Sequence, residues 1–191
     1  MGTRGLICVQ KDGEYKVAQY GQYDSYPEHT GKYILRFLRN INLDTFEASV
    51  AECEFYTDAE LLRLDSTLRD LERGQSFGIK MLRELSACTF EEVLPIITFN
   101  GVRKLENAIE FAQQSLHCEW GYVIDFDKRT FEVYKGYNEQ DLTEKDRFYR
   151  GESTERFKPI KLAVSYSLDD LPTEEEFLDF FYPDEDEEEV V

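Results

Sequence analysis

Alternating strand-like segments lie at both ends of this chain with helical sequence between them, and that order restricts its fold more than any other feature. Trp120, Tyr122, Ile124 and Phe126 alternate with Gly121, Val123 and Asp125, the period of a strand with two unlike faces. Asp127-Lys128-Arg129 forms a turn, and Phe131, Val133 and Tyr134 return. Ile160, Leu162, Val164 and Tyr166 supply a third strand after a charged connection over residues 138–158. At the other end, Leu6, Cys8 and Gln10 share one face of a short strand, and Ile7 and Val9 share the other. Asp12-Gly13, a dipeptide suited to tight hairpin turns, joins it to a second run over residues 15–20.

The middle reads as helix. Residues 33–38 are dense in apolar side chains. Asp44 with Glu47, Thr57 with Glu60, and Thr89 with Glu92 match the capping-box spacing, in which the first side chain accepts from an orphan backbone N–H and the acid reaches back. Leu61, Leu64, Leu68 and Leu71 form an amphipathic stripe ended by Gly74. Ser76 caps a segment carrying Ile79, Leu82 and Leu85, and Pro95 limits the segment that starts at Thr89. Leu105, Ala108, Ile109, Ala112 and Leu116 predict one more helix. Strands at the ends and helices between them predict an α+β domain. Its sheet is mostly antiparallel, built from the N-terminal hairpin and the C-terminal strands, with the helices on one face.

Charge divides the chain in two. Residues 169–191 hold twelve of the 40 acids and no lysine or arginine, so two-thirds of the net charge of −18 comes from this end. The expected organisation is a single domain over 1–168 and an acidic C-terminal segment over 169–191. That segment carries a short aromatic helix (Leu171-Pro172-Thr173-Glu174, then Phe177, Phe180, Phe181 and Tyr182) and a disordered end at 184–191. A negative surface repels nucleic-acid backbones and anionic lipid and favours basic protein partners. No apolar run is long enough to span a bilayer and no signal segment is evident, so a soluble cytoplasmic protein is expected. Cys8, Cys53, Cys88 and Cys118 share no metal-binding spacing and read as buried free thiols; no metal and no cofactor are expected.

Chemistry-bearing residues concentrate at the start. Thr3 and Arg4 lie beside glycines, and after the hairpin come Tyr23, Asp24, Ser25, Tyr26, Pro27 and His29 in one loop. Polar loops held by a rigid hairpin commonly bind ligands. The glycines do not match a dinucleotide or phosphate-loop pattern. Loss of Met1 would leave Thr3 one residue too deep for an N-terminal nucleophile.

The pattern Gly2-Thr3-Arg4-Gly5-Leu6, followed by Tyr20-Gly21-Gln22-Tyr23-Asp24-Ser25-Tyr26-Pro27, resembles the N-terminal signature of an uncharacterised family from phage, bacterial and fungal genomes. The likeness covers about the first thirty residues, and the aromatic hairpin at 120–137 resembles the family more loosely. It implies no activity. Where that family continues with Gly-x-Gly, this chain has Glu28-His29-Thr30-Gly31, which removes His29 from any shared role.

The reading that follows is an accessory or binding protein, phage-associated, with a ligand or partner site at Arg4, Asp24, Tyr26, Tyr23 and Thr3. Phe177, Phe180, Phe181 and Tyr182 are the expected partner anchors. A small molecule or a basic protein is the expected partner. One alternative is a small hydrolase using Asp24 with Tyr26 or His29. Another is an inhibitor, adaptor or DNA mimic acting through the acidic C-terminal surface.

Overall fold

The computed structural model describes residues 2–71, 90–152 and 154–183. Its centre is a five-stranded sheet of β1 (Gly5–Lys11), β2 (Glu14–Gly21), β5 (Trp120–Asp125), β6 (Thr130–Lys135) and β7 (Lys161–Ser167), in the order β2-β1-β5-β6-β7. Three of its pairings are antiparallel, and β1 and β5 run parallel. The fold is α+β with a mostly antiparallel sheet, as the sequence pattern predicts. Asp12 and Gly13 take φ of 56° and 75°, the left-handed pair that a two-residue hairpin turn needs. Asp127 closes the neighbouring turn onto this one, accepting from the backbone N–H of Asp12 and Gly13 at 2.8 Å each.

One face carries the helices α1 (Lys32–Asn40), α2 (Leu43–Ala51), α4 (Val93–Asn100) and α5 (Glu174–Phe181). Ile34, Leu35 and Leu38, then Phe46 and Val50, then Leu94 and Ile97 bury against Ile7, Val9, Ile124, Phe131 and Val133 of the sheet. Helix α3 (Asp58–Leu71) begins with the Thr57–Glu60 box: Glu60 accepts from the Thr57 N–H at 2.8 Å, and Thr57 accepts from the Glu60 N–H at 3.3 Å. Glu60 also accepts from Lys104 at 2.5 Å, and that bond, with those from Thr57, pulls its carboxyl down to about 2. Gly74, Ser76, Ile79, Leu82, Leu85, Cys88 and Thr89 lie outside the described residues.

Three local expectations are corrected. The second helix is capped by Asn42, whose side chain accepts from the Thr45 N–H at 2.8 Å, so Asp44 falls inside the first turn. Pro95 does not limit a helix but lies in the first turn of α4, where its missing N–H has no intrahelical partner to lose. The predicted helix over 105–116 is instead β4 (Lys104–Leu105), parallel to β3 (Glu54–Phe55), followed by a 3-10 turn over Ile109–Gln113. Here Asn107 accepts from the Ile109 N–H at 3.0 Å, and Ala108 donates to the Ala18 carbonyl at 2.9 Å. Bonds to the side chain and to β2 take up donors that a helix would use, so tertiary context overrides the apolar spacing.

Among the described residues the second face is covered by connecting segments and the 3-10 turn, with no α-helix. Ala112, Cys118, Phe148 and Ile160, all from connecting segments, pack on Leu6, Cys8, Ala18, Val123 and Tyr134. Cover on both faces explains why Gly5 through Val9 are all buried. Cys8, Cys53 and Cys118 are free and buried. Burial pushes the thiols of Cys8 and Cys118 up, which keeps them protonated and unreactive.

Candidate functional site

Strand alternation decides where the N-terminal residues point. Arg4 follows the Leu6 and Cys8 face, where its Nη2 lies 3.1 Å from Nδ1 of His117. A guanidinium only donates, so Nδ1 accepts and the imidazole proton is on Nε2. Thr3 has the opposite parity and is buried, with its carbonyl accepting from the Ser25 N–H at 3.2 Å. The strand thus separates Arg4 from the Thr3–Ser25 contact, and Arg4 makes its polar side-chain contact with His117, not Asp24.

The loop after β2 folds inward at Ser25 and outward on either side of it. Asp24 takes φ of 55°, a left-handed conformation that its short polar side chain tolerates. Its carbonyl accepts from the Thr30 hydroxyl at 2.9 Å, while the side chain is exposed. Ser25 is buried, and its carbonyl accepts from the Tyr122 hydroxyl at 2.7 Å. Burial, followed by the charges of Tyr182 and Glu28, raises Tyr122 well above the usual phenol range and holds the donating proton in place. The Thr3 and Ser25 hydroxyls are buried with no hydrogen-bond partner among the described residues. Tyr122→Phe should cost about 1–2 kcal/mol, because the Ser25 carbonyl loses its partner in a dry site. A denaturation midpoint equal to the native one would show that the loop is held otherwise.

Pro27–Gly31 forms a single π-helical turn leading into α1. Gly31 is required by close approach: a Cβ there would stand 2.9 Å from the Phe177 ring and 3.1 Å from that of Tyr122. This contact brings the C-terminal helix to the loop. Thr173 caps α5 with Glu176 in a complete capping box. Arg36 donates to both Glu174 oxygens at 2.5 and 2.6 Å, and Arg39 donates to the carbonyls of Leu171 and Pro172 at 3.1 and 2.5 Å.

Four aromatic side chains expected to serve together divide between two tasks. Phe177 is fully buried, with ring centroids 6.1 Å from Phe131 and 5.9 Å from Tyr166, so it belongs to the core and cannot anchor a partner. Phe181, one turn later on the same side, packs 5.2 Å from Phe177 and 5.5 Å edge-on to Trp120. Phe180 and Tyr182 point outward and are 51% and 44% exposed.

Tyr182 meets the N-terminal loop. Burial, a hydrogen bond to Glu28 and the Glu28 charge raise its phenol, with Tyr26 close enough to add to the effect. Tyr26 is 40% exposed. Tyr23 is exposed too, but leans over Gly2, where a Cβ would come within 2.3 Å of its ring. The structure therefore brings Tyr26, Glu28 and Tyr182 together, with the exposed Phe180 two residues before Tyr182, and leaves Arg4 and Thr3 outside this surface. No family model, curated protein or solved structure matches the chain.

This surface stands at the root of the acidic run, since Pro183 directly follows Tyr182 and residues 184–189 are all Asp or Glu. Glu28 in this surface, and His117 as the partner of Arg4 on the other face, are the residues that the sequence reading missed. Glu28 carries no local signal, and His117 becomes visible only once the parity of Arg4 is followed across to the segment before β5. Among the described residues no group of three or more His, Cys, Asp or Glu could hold a metal ion. No helix among them is long and apolar enough to cross a membrane.

Proposed function

We propose that this chain is a binding protein whose partner is a basic, lysine- or arginine-rich protein segment, captured by the surface of Tyr26, Phe180 and Tyr182. The observation that carries this reading is the meeting of the loop with α5, where Gly31 lies against the Phe177 ring and Tyr182 stands beside Glu28. It places exposed aromatic rings beside carboxylates at the foot of an all-acidic run. Rings attract cations through their π faces, and the carboxylates steer and retain them. The net charge of −18 favours the same class of partner and disfavours nucleic acid. The catalytic alternative has little to rest on, because Asp24 and His29 are both exposed.

Titration of a lysine- and arginine-rich peptide tests the proposal. Phe180→Ala with Tyr182→Ala is expected to weaken binding at least about tenfold, the loss typical of truncated interface anchors. Raising the salt is expected to weaken what remains. A double variant that binds as tightly as the native chain would overturn the reading.

A further inference from the structure

Positions 125 and 132 belong to the sheet face that also buries Leu6, Cys8 and Val123, yet both carry carboxylates. The side chains of Asp125, Glu132 and Arg147 are 1%, 7% and 7% exposed. Glu132 grips the guanidinium from the side, taking Nε at 2.8 Å and Nη2 at 3.0 Å. Asp125 accepts from Nη2, Gln10 accepts from Nη1, and the Tyr134 hydroxyl accepts from Nε at 3.1 Å. Tyr15 also lies within hydrogen-bonding reach.

The acceptors are held in place without Arg147. Glu132 receives hydrogen bonds from the Tyr134 hydroxyl at 2.6 Å and from the Thr130 hydroxyl at 3.1 Å, both on its own strand. Asp125 receives the Lys128 N–H at 2.9 Å. The receiving groups therefore stand on paired strands in a fixed fork geometry, with one formal negative charge more than the single guanidinium neutralises.

The cation comes from a different kind of element. The described residues of 139–157 form a loop with no helix or strand. Its neck is closed independently, by Lys158 N–H to the Asn138 carbonyl at 2.7 Å and by Asn138 Nδ2 to the Pro159 carbonyl at 2.9 Å. A cleft of about 590 Å³, lined by residues that include Leu142, Thr143, Tyr149, Gly151 and Pro159, separates its two limbs. Beyond Arg147, the loop tip is held by Phe148 edge-on to Tyr134 at 4.9 Å, by the Phe148 carbonyl to Gln113 at 3.1 Å, and by an exposed Arg150–Glu110 pair.

We propose that the β5–β6 hairpin is a guanidinium receptor that Arg147 occupies as an internal ligand, and that an arginine side chain of a partner protein takes its place when the loop lifts. The receptor is complete on rigid strands, and its ligand is delivered by a loop whose neck holds when the tip leaves. It lies on the sheet face away from the helices and does not depend on the Tyr26–Tyr182 surface.

Ethylguanidinium is the probe, with ethylammonium at equal ionic strength as the control. In Arg147→Ala, ethylguanidinium is expected to raise the melting temperature and ethylammonium is not, because a point charge cannot satisfy the fork. Equal effects of the two cations, or none from either, would overturn the receptor. In the native chain, millimolar ethylguanidinium is expected to speed amide hydrogen exchange in residues 139–157 while ethylammonium leaves it unchanged. That measurement stands even if the variant fails to fold, and unchanged exchange with both cations would overturn displacement.

Discussion

Replacing Arg147 with methionine should destabilise the chain by about 3–5 kcal/mol, the usual cost of stranding one side of a buried ion pair. For a chain of this size that corresponds to a fall in melting temperature of roughly 10 °C. The loss arises from what remains: Asp125 and Glu132 would be 1% and 7% exposed with no cation between them. Burial works against the charged form of Arg147, and its bonds to Glu132 and Asp125 more than offset this, holding the guanidinium above its ordinary range. Adding Asp125→Asn and Glu132→Gln to the methionine variant removes the stranded charge and should recover at least about half of the loss. Urea denaturation of the native, single and triple variants measures both steps. A near-neutral Arg147→Met would show that the pairing contributes little, and a triple variant no better than the single would place the cost in packing.

The second large effect is expected from Phe177→Ala, at about 3–5 kcal/mol, because it opens a cavity among Gly31, Tyr122, Phe131 and Tyr166. Phe177 is also the main apolar contact between α5 and the sheet, so its loss should loosen the helix. Trp120 is the only tryptophan in the chain and packs against Phe181, so its fluorescence reports this release directly. The expected signature is a red-shifted emission below the denaturation midpoint. Arg36→Ala is the useful contrast: the Arg36–Glu174 pair is exposed on both sides and should contribute less than about 1 kcal/mol. If Phe177→Ala leaves both stability and Trp120 emission unchanged, α5 is not held by the core as described. Should that be so, the surface formed with Tyr26 and Glu28 loses its basis too.

The two halves of this surface show how far sequence reasoning reaches. The helix-start signature at Leu171-Pro172-Thr173-Glu174 predicts the C-terminal helix, and the structure shows its start fixed by a Thr173–Glu176 capping box, a local signal acting over three or four positions. The same reading treats Phe177, Phe180, Phe181 and Tyr182 as one set, since a short aromatic helix does not say which of its sides meets the body. Packing against Phe131 and Tyr166 draws Phe177 inward and leaves Phe180 and Tyr182 outside. Arg4 and Tyr26 look like neighbours in a loop-and-strand motif, but strand parity sends Arg4 to His117 on the far face. The helical spacing at 105–116 fails for a related reason: its backbone groups find partners on β2 and β3 that no local pattern reveals.

Alternation, turn dipeptides and apolar patterning were enough to predict the five strands of the central sheet, the first helix, the start of α3 and the C-terminal helix, and hence an α+β fold, but not β3, β4 or the cap of α2. These signals are local, because side-chain direction repeats every two residues in a strand and every 3.6 in a helix. Tertiary structure alone decided which segments stand opposite one another. It set the parallel pairing of β1 with β5, the contact of Tyr182 with Glu28, and the entry of Arg147 between Asp125 and Glu132. Such contacts join residues far apart in the chain, and their partners are chosen by how the connections close and what the sheet leaves uncovered. An aspartate and a glutamate on a buried strand face do announce that a cation must arrive, but only the fold identifies it as Arg147.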